Sequence, residues 1–146
     1  MSWFKNDTFR NKAFKLQSAR ELFEEYITRI SKFVPCQILG SIHQAEAKKA
    51  GTKVWVCDQA RGAKTLSSEQ VAAELEQLCN SAVRELHIVI GDADGFSKEE
   101  MDELKPDLRW SFGPLTLPHE LAAIVASEQI YRAWAIIKRL PYHLGH

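Results

Sequence analysis

The sequence has no net charge: 19 lysines and arginines stand against 19 aspartates and glutamates. A balanced chain sets up no overall field to draw it onto a polyanion, so DNA is not expected as a partner. Any affinity for RNA has to come from a local patch or from the seam of a dimer. Cysteine is scarce. Cys36, Cys57 and Cys79 are odd in number, widely spaced and each set in an apolar stretch, which fits reduced thiols in a cytoplasmic protein better than a disulfide framework or a zinc site. No apolar run approaches the roughly 20 residues that cross a bilayer, and Met1 to Lys12 is charged and polar rather than a signal sequence, so no membrane partner is expected. Also missing are a Ser-His-Asp order, metal-ligand spacing and a phosphate-binding loop, and no metal is expected.

What is present fits one compact α/β domain over residues 1–146. Ala19, Leu22, Phe23, Tyr26, Ile27 and Ile30 recur at helical spacing with charged residues between them, which predicts an amphipathic helix. Cys36 to Leu39, Lys53 to Cys57, Leu86 to Ile90 and Leu108 to Phe112 are short apolar runs of strand length. Near-continuous apolarity suits strands buried on both faces, so the expected architecture is a mostly parallel sheet with helices on both faces. Ser67 with Gln70, and Ser97 with Glu100, have capping-box spacing and predict two helix starts. A last helix should begin near Pro118 and stop before Leu140-Pro141, with Leu121, Ile124, Val125, Glu128, Tyr131, Trp134 and Ala135 as its apolar stripe. Ala45 to Ala50 fits a short helix or an exposed loop. Met1 to Lys12 carries Trp3, Phe4 and Phe9 without alternation or an apolar run, and is read as an atypical, loosely packed N-terminal arm.

Three stretches could carry chemistry. Ile88-Val89-Ile90-Gly91-Asp92-Ala93-Asp94-Gly95 is an apolar strand running into a two-glycine turn before a capped helix, at the strand end where α/β proteins place ligands. Its spacing is not the dinucleotide fingerprint, and its aspartates suit an uncharged or cationic group better than a pyrophosphate. A tight turn and nothing more is the competing reading. Ser111 to His119 is an unusually apolar loop between a strand and the last helix. Leu115 and Leu117 are expected to be packed, and its peptide groups would suit a flat heteroaromatic ring. A rigid helix entry is the alternative. Arg132, Trp134, Lys138, Arg139, Pro141, Tyr142, His143 and His146 interleave cations and aromatics as RNA sites do, although cations also gather at ordinary helix ends. Glu128, on an apolar stripe, requires a partner. Asp58, after the strand Val54 to Cys57, either binds a ligand or caps a turn.

Taken in order, Val89-Ile90-Gly91-x-x-x-Gly95, Leu115-Thr116-Leu117-Pro118-His119, Glu128-Gln129-x-Tyr131-Arg132-Ala133 and Pro141-Tyr142-His143 resemble the ribosomal large-subunit methyltransferase H family of the SPOUT superfamily. The resemblance implies a C-terminal trefoil knot, a homodimer, S-adenosylmethionine as cofactor, and methylation of ring nitrogen N3 of a pseudouridine in the large-subunit rRNA of the ribosome. By position it implies a cofactor site at Cys57, Gly91, Phe112, Gly113, Pro114, Leu115, Thr116 and Leu117. His143 or Tyr142 would assist at the target base, with Arg132 and Arg139 on phosphates. The sequence departs from the family at Asp92, where a second glycine is typical, at Met1 to Lys12, where a short apolar strand is typical, and after His143. Two other readings stand beside an active enzyme: a degenerate homologue that binds cofactor or ribosome without turnover, and an unrelated nucleotide-binding module.

Overall fold

The computed structural model describes residues 2–5, 14–39, 50–58, 62–91 and 96–143. Its elements are β1 (Ser2–Lys5), α1 (Gln17–Ile30), β2 (Gln37–Leu39), β3 (Thr52–Cys57), β4 (Lys64–Thr65), α2 (Ser68–Cys79), β5 (Glu85–Ile90), α3 (Lys98–Leu104), β6 (Leu108–Ser111) and α4 (His119–Ile137). The six strands form one sheet in the order β2-β1-β5-β3-β6-β4, and every pairing is parallel. The expected α/β class with helices on both faces is therefore present.

Alternation along the strands separates two cores. Trp55, Cys57, Ile88, Ile90 and Trp110 face a large core built with α1, α2 and α4. Val54, Val56 and Val89 face a smaller one closed by Leu104 of α3, with Phe96 and Met101 against it. Both faces are thus covered, which explains why β3 and β5 read as nearly unbroken apolar runs. The two capping boxes are complete: Ser67 Oγ accepts from Gln70 N–H and Gln70 returns the bond to Ser67 N–H, and Ser97 and Glu100 do the same.

Two expectations are corrected. Ser2–Lys5, read as part of a loose arm, is a strand lying in register between β2 and β5. A strand paired on both edges draws its order from main-chain hydrogen bonds, which leave no apolar pattern in four residues. Residues 6–13 lie outside the described residues, as do 40–49, where a short helix or loop was expected. The buried face of α4 also differs from the expected stripe. Ala122, Ala123, Ala126, Ser127, Ile130, Ala133, Trp134 and Ala135 are buried, while Leu121 is 49% exposed and Ile124, Val125 and Tyr131 are half-buried. Helix α4 packs against both α1 and α2, and small side chains let three elements approach closely where large ones would hold them apart.

Candidate functional site

The strands β3, β5 and β6 end level with one another, with Cys57 opposite both Ile90 and Trp110. Two further backbone bonds extend the ladder past the strands: Gly91 N–H donates to Cys57 O at 3.2 Å, and Asp58 N–H to Trp110 O at 2.9 Å. Gly91 has a steric reason to be glycine. A Cβ there would lie 2.6 Å from Phe96 Cε2 and 3.1 Å from Cys57 O. Residues 92–95, including Asp92, lie outside the described residues. Burial, and then the neighbouring Asp58 carboxylate, push the Cys57 thiol well above its ordinary range, so it is a neutral group at this edge. Asp58 is itself buried and accepts from Arg109 Nη2 at 2.9 Å, so its partner is a cation of the same sheet.

The loop leaving β6 is held by its own first residues. Ser111 Oγ donates to Gly113 O and accepts from Gly113 N–H, both at 3.2 Å. Gly113 takes φ +106° with open space where a Cβ would sit, so backbone conformation rather than crowding calls for glycine here. Phe112 packs edge-on against Trp110, with centroids 4.9 Å apart. Leu117 packs against the large core. Leu115 does not follow the expectation of packing: it is 71% exposed, with Pro114 and Thr116 exposed beside it.

The tail is turned back onto α4 by a helix stop that sequence inspection passes over. Arg139 adopts φ 57°, Leu140 N–H donates to Ala135 O at 2.8 Å, and Arg139 N–H to Ile136 O at 3.1 Å. This is the Schellman pattern, with arginine where glycine is usual. Tyr142 and His143 consequently return to the residues of α4 that precede them. Glu128 Oε1 accepts from Arg132 Nε at 2.9 Å and Nη2 at 2.6 Å and from Tyr142 OH at 3.1 Å; Oε2 accepts from Gln129 Nε2 at 2.7 Å. Glu128 thus has the partners its position demands. Arg132 Nη1 lies 3.0 Å from His143 Nδ1, and His143 Nε2 lies 2.8 Å from Glu69 Oε1. Tyr142 also packs edge-on against Tyr131 at 4.7 Å, with the Arg132 guanidinium 5.0 Å from its ring. Burial first, then the hydrogen bond with Tyr26 and the charge of Glu128, push the phenol of Tyr142 far up, which leaves it a protonated donor. Glu69 is shifted the other way, down, first by its own backbone N–H and then by the bond to His143.

These two regions share one end of the sheet. Helix α2 starts three residues after β4, whose Lys64 and Thr65 pair with Trp110 and Ser111 at the end of β6. Glu69 in the first turn of α2 therefore brings the tail toward the strand ends that carry Cys57 and the Phe112–Leu117 loop. The family model described as "Predicted SPOUT methyltransferase" matches residues 12–143.

The chain belongs to the SPOUT methyltransferase family.

The ribosomal RNA large subunit methyltransferase H of Deinococcus radiodurans is 36% identical to this SPOUT chain over 138 residues, covering 90% of this chain and 92% of the relative. Its namesake in a Psychrobacter species is 41% identical over 104 residues, covering 71% and 59%, and that of Ectopseudomonas mendocina is 44% identical over 80 residues, covering 55% and 50%. The matched stretch thus spans about half to three-fifths of the length of these last two relatives. A solved Legionella pneumophila methyltransferase with bound SAM aligns at TM-score 0.45 and 17% identity, covering 89% of this chain and 53% of that one.

Of the residues expected to act in this SPOUT chain, Arg132, Tyr142 and His143 meet in one network, and Cys57, Gly91 and the Phe112–Leu117 loop lie at neighbouring strand ends. Sequence reasoning missed Glu69, Ser68 and Gln129 as parts of the site. Ser68 Oγ donates to Gln129 Oε1 at 2.7 Å, and nothing local places Glu69 beside a histidine 74 positions away. Tyr26 of α1, which bonds Tyr142, was read only as part of a core stripe.

Proposed function

We propose that this chain is an S-adenosylmethionine-dependent methyltransferase, acting on ring nitrogen N3 of a pseudouridine in the large-subunit rRNA of the ribosome. The observation that carries the proposal is the meeting of Arg132, Tyr142 and His143 beside the strand ends in a chain of this family. The names of its relatives supply the target class. We propose further that residues 1–146 form one cytoplasmic domain with a C-terminal trefoil knot, and that it works as a homodimer. The exposed Leu121 and the half-buried Ile124 and Val125 are apolar surface that a second copy would cover.

The strand ends fit the cofactor. Peptide groups of Phe112, Gly113, Pro114, Leu115, Thr116 and Leu117 suit the edges of an adenine ring, and Leu115 and Leu117 its faces. Cys57 brings a neutral, buried wall, and Gly91 keeps the chain thin. When bound, S-adenosylmethionine supplies a methyl group on a positively charged sulfur, open to in-line attack by a ring nitrogen that has lost its proton. Tyr142, a protonated donor held on Glu128, is not suited to take that proton. Nδ1 of His143 is the better acceptor, provided Arg132 moves its Nη1 from imidazole to substrate. Arg139, exposed at the turn of the tail, is free to meet phosphate, whereas Arg132 is already committed to Glu128.

Labelled methyl transfer to ribosomes from a strain lacking the protein, followed by mass spectrometry of the nucleosides, tests the proposal. Labelled methylpseudouridine is the expected product. Cofactor binding without transfer would instead identify a degenerate homologue, and neither binding nor transfer would overturn the reading altogether.

A further inference from the structure

The polar groups of the tail form a closed circuit. Starting on α2, Ser68 Oγ donates to Gln129 Oε1, and Gln129 Nε2 donates to Glu128 Oε2. Glu128 Oε1 accepts from Arg132, whose Nη1 faces His143 Nδ1. His143 Nε2 then returns to Glu69 Oε1, the residue next to Ser68. Chemistry fixes most directions around this ring. A guanidinium only donates, so His143 Nδ1 has to be the accepting nitrogen, and the imidazole proton sits on Nε2 and points at a carboxylate. With Nδ1 protonated, two donors would face each other across 3.0 Å.

We infer that Glu69 is a positioning residue that holds the Nε2–H of His143 and, when the Arg132 guanidinium turns away, keeps Nδ1 as the lone-pair nitrogen of the tail. Glu69 bonds His143 Nε2 and acts through the imidazole, as the carboxylate does in a carboxylate–histidine pair. Its carboxylate is held ready for this by its own backbone N–H in the first turn of α2, where negative charge is favoured. The capping bonds of α2 are made by Ser67 and Gln70, so the Glu69 side chain is not needed to start the helix. The catalytic consequence rests on the methyltransferase reading above; the tautomer does not.

The test is the nitrogen NMR spectrum of the full chain labelled at histidine, with the His143 signals identified by their loss in His143→Gln. The native protein is expected to show one protonated Nε2 and one unprotonated Nδ1 for His143. With the guanidinium removed from Nδ1 by Arg132→Met, Glu69→Ala is expected to average the two nitrogens toward a tautomer mixture, and Glu69→Gln, whose amide oxygen still accepts, to keep them distinct. In methyl transfer, Glu69→Ala should lower kcat on the order of tenfold with KM for S-adenosylmethionine unchanged, and Glu69→Gln should recover most of it. A native spectrum with Nδ1 protonated, or an Arg132→Met, Glu69→Ala double variant that keeps the native pattern, would overturn the inference. If the native protein transfers no methyl group, the functional reading fails, and the spectra still decide whether Glu69 sets the tautomer.

Discussion

The two ends of the parallel sheet differ in how their polar groups are used. At the N-terminal ends of the strands lies a cavity of about 580 Å³, lined among others by Gly51, Lys53, Trp55, Glu74 and Asp107. Several of its polar groups already have partners. Asp107 accepts from Val54 N–H at 2.8 Å and meets Lys53 Nζ at 3.5 Å, and the Gly51 carbonyl accepts from Arg84 and Glu85 N–H. These bonds tie the strand starts together. The C-terminal ends carry the glycine that admits Phe96, the exposed apolar loop and, through α2, the tail network. Parallel strands make the distinction systematic, because ligands gather where the strands end and the chain turns outward.

Substitutions at each end can break or sharpen this contrast. Trp110, buried at the end of β6 between Trp55 and Phe112, should show the largest effect: Trp110→Ala is expected to cost about 3–5 kcal/mol in chemical denaturation and to abolish S-adenosylmethionine binding. Gly91→Ala comes next, since the new Cβ would press on Phe96 and the Cys57 carbonyl; a loss of about 1–3 kcal/mol is expected, with weaker cofactor binding by calorimetry. Asp107→Ala, at the opposite end, should cost about 1 kcal/mol through the lost Val54 bond and leave cofactor affinity as it was. Were Asp107→Ala to weaken binding more than Gly91→Ala, the assignment of the two ends would be reversed. The smallest effect is a gain. Arg139→Gly relieves a left-handed arginine at the helix stop and should stabilise the fold by about 1 kcal/mol, while weakening binding to ribosomes if Arg139 meets phosphate there.

The alkaline limit provides a further check on the strand ends. The Cys57 thiol is raised from its ordinary 9.0 by burial. The unfolded chain can therefore lose this proton at a pH where the native chain cannot. Stability is fully present below pH 9 and falls as pH rises above it, by at most about 1.4 kcal/mol per pH unit from this group. Cys57→Ala should flatten that part of the curve, and a thiol reagent at pH 8 should modify the exposed Cys79 before Cys57.

Much of this fold could be read from the chain because its signals are local. Ser67 and Ser97 announce α2 and α3 by spacing alone, and β3 and β5 reveal their two covered faces through unbroken apolarity. β1 leaves no such trace, since its order comes from neighbours distant in sequence. The face of α4 was misjudged for a related reason: a hydrophobic stripe ranks Leu121 above Ala123, whereas contact with two helices selects the smaller residue. At the site, Tyr142 and His143 were recognisable in the tail, but the turn at Arg139 that folds them onto Glu128 has no glycine to announce it. Glu69 enters only through three-dimensional proximity.

Hydrogen exchange of the backbone amides with and without S-adenosylmethionine tests the central claim most directly. Slowed exchange is expected at Asp58, Gly91 and the amides of Phe112, Gly113, Leu115, Thr116 and Leu117, with the amides around Gly51 and Asp107 unchanged. Protection confined to the Gly51–Asp107 end, or none at either end at saturating cofactor, would contradict it.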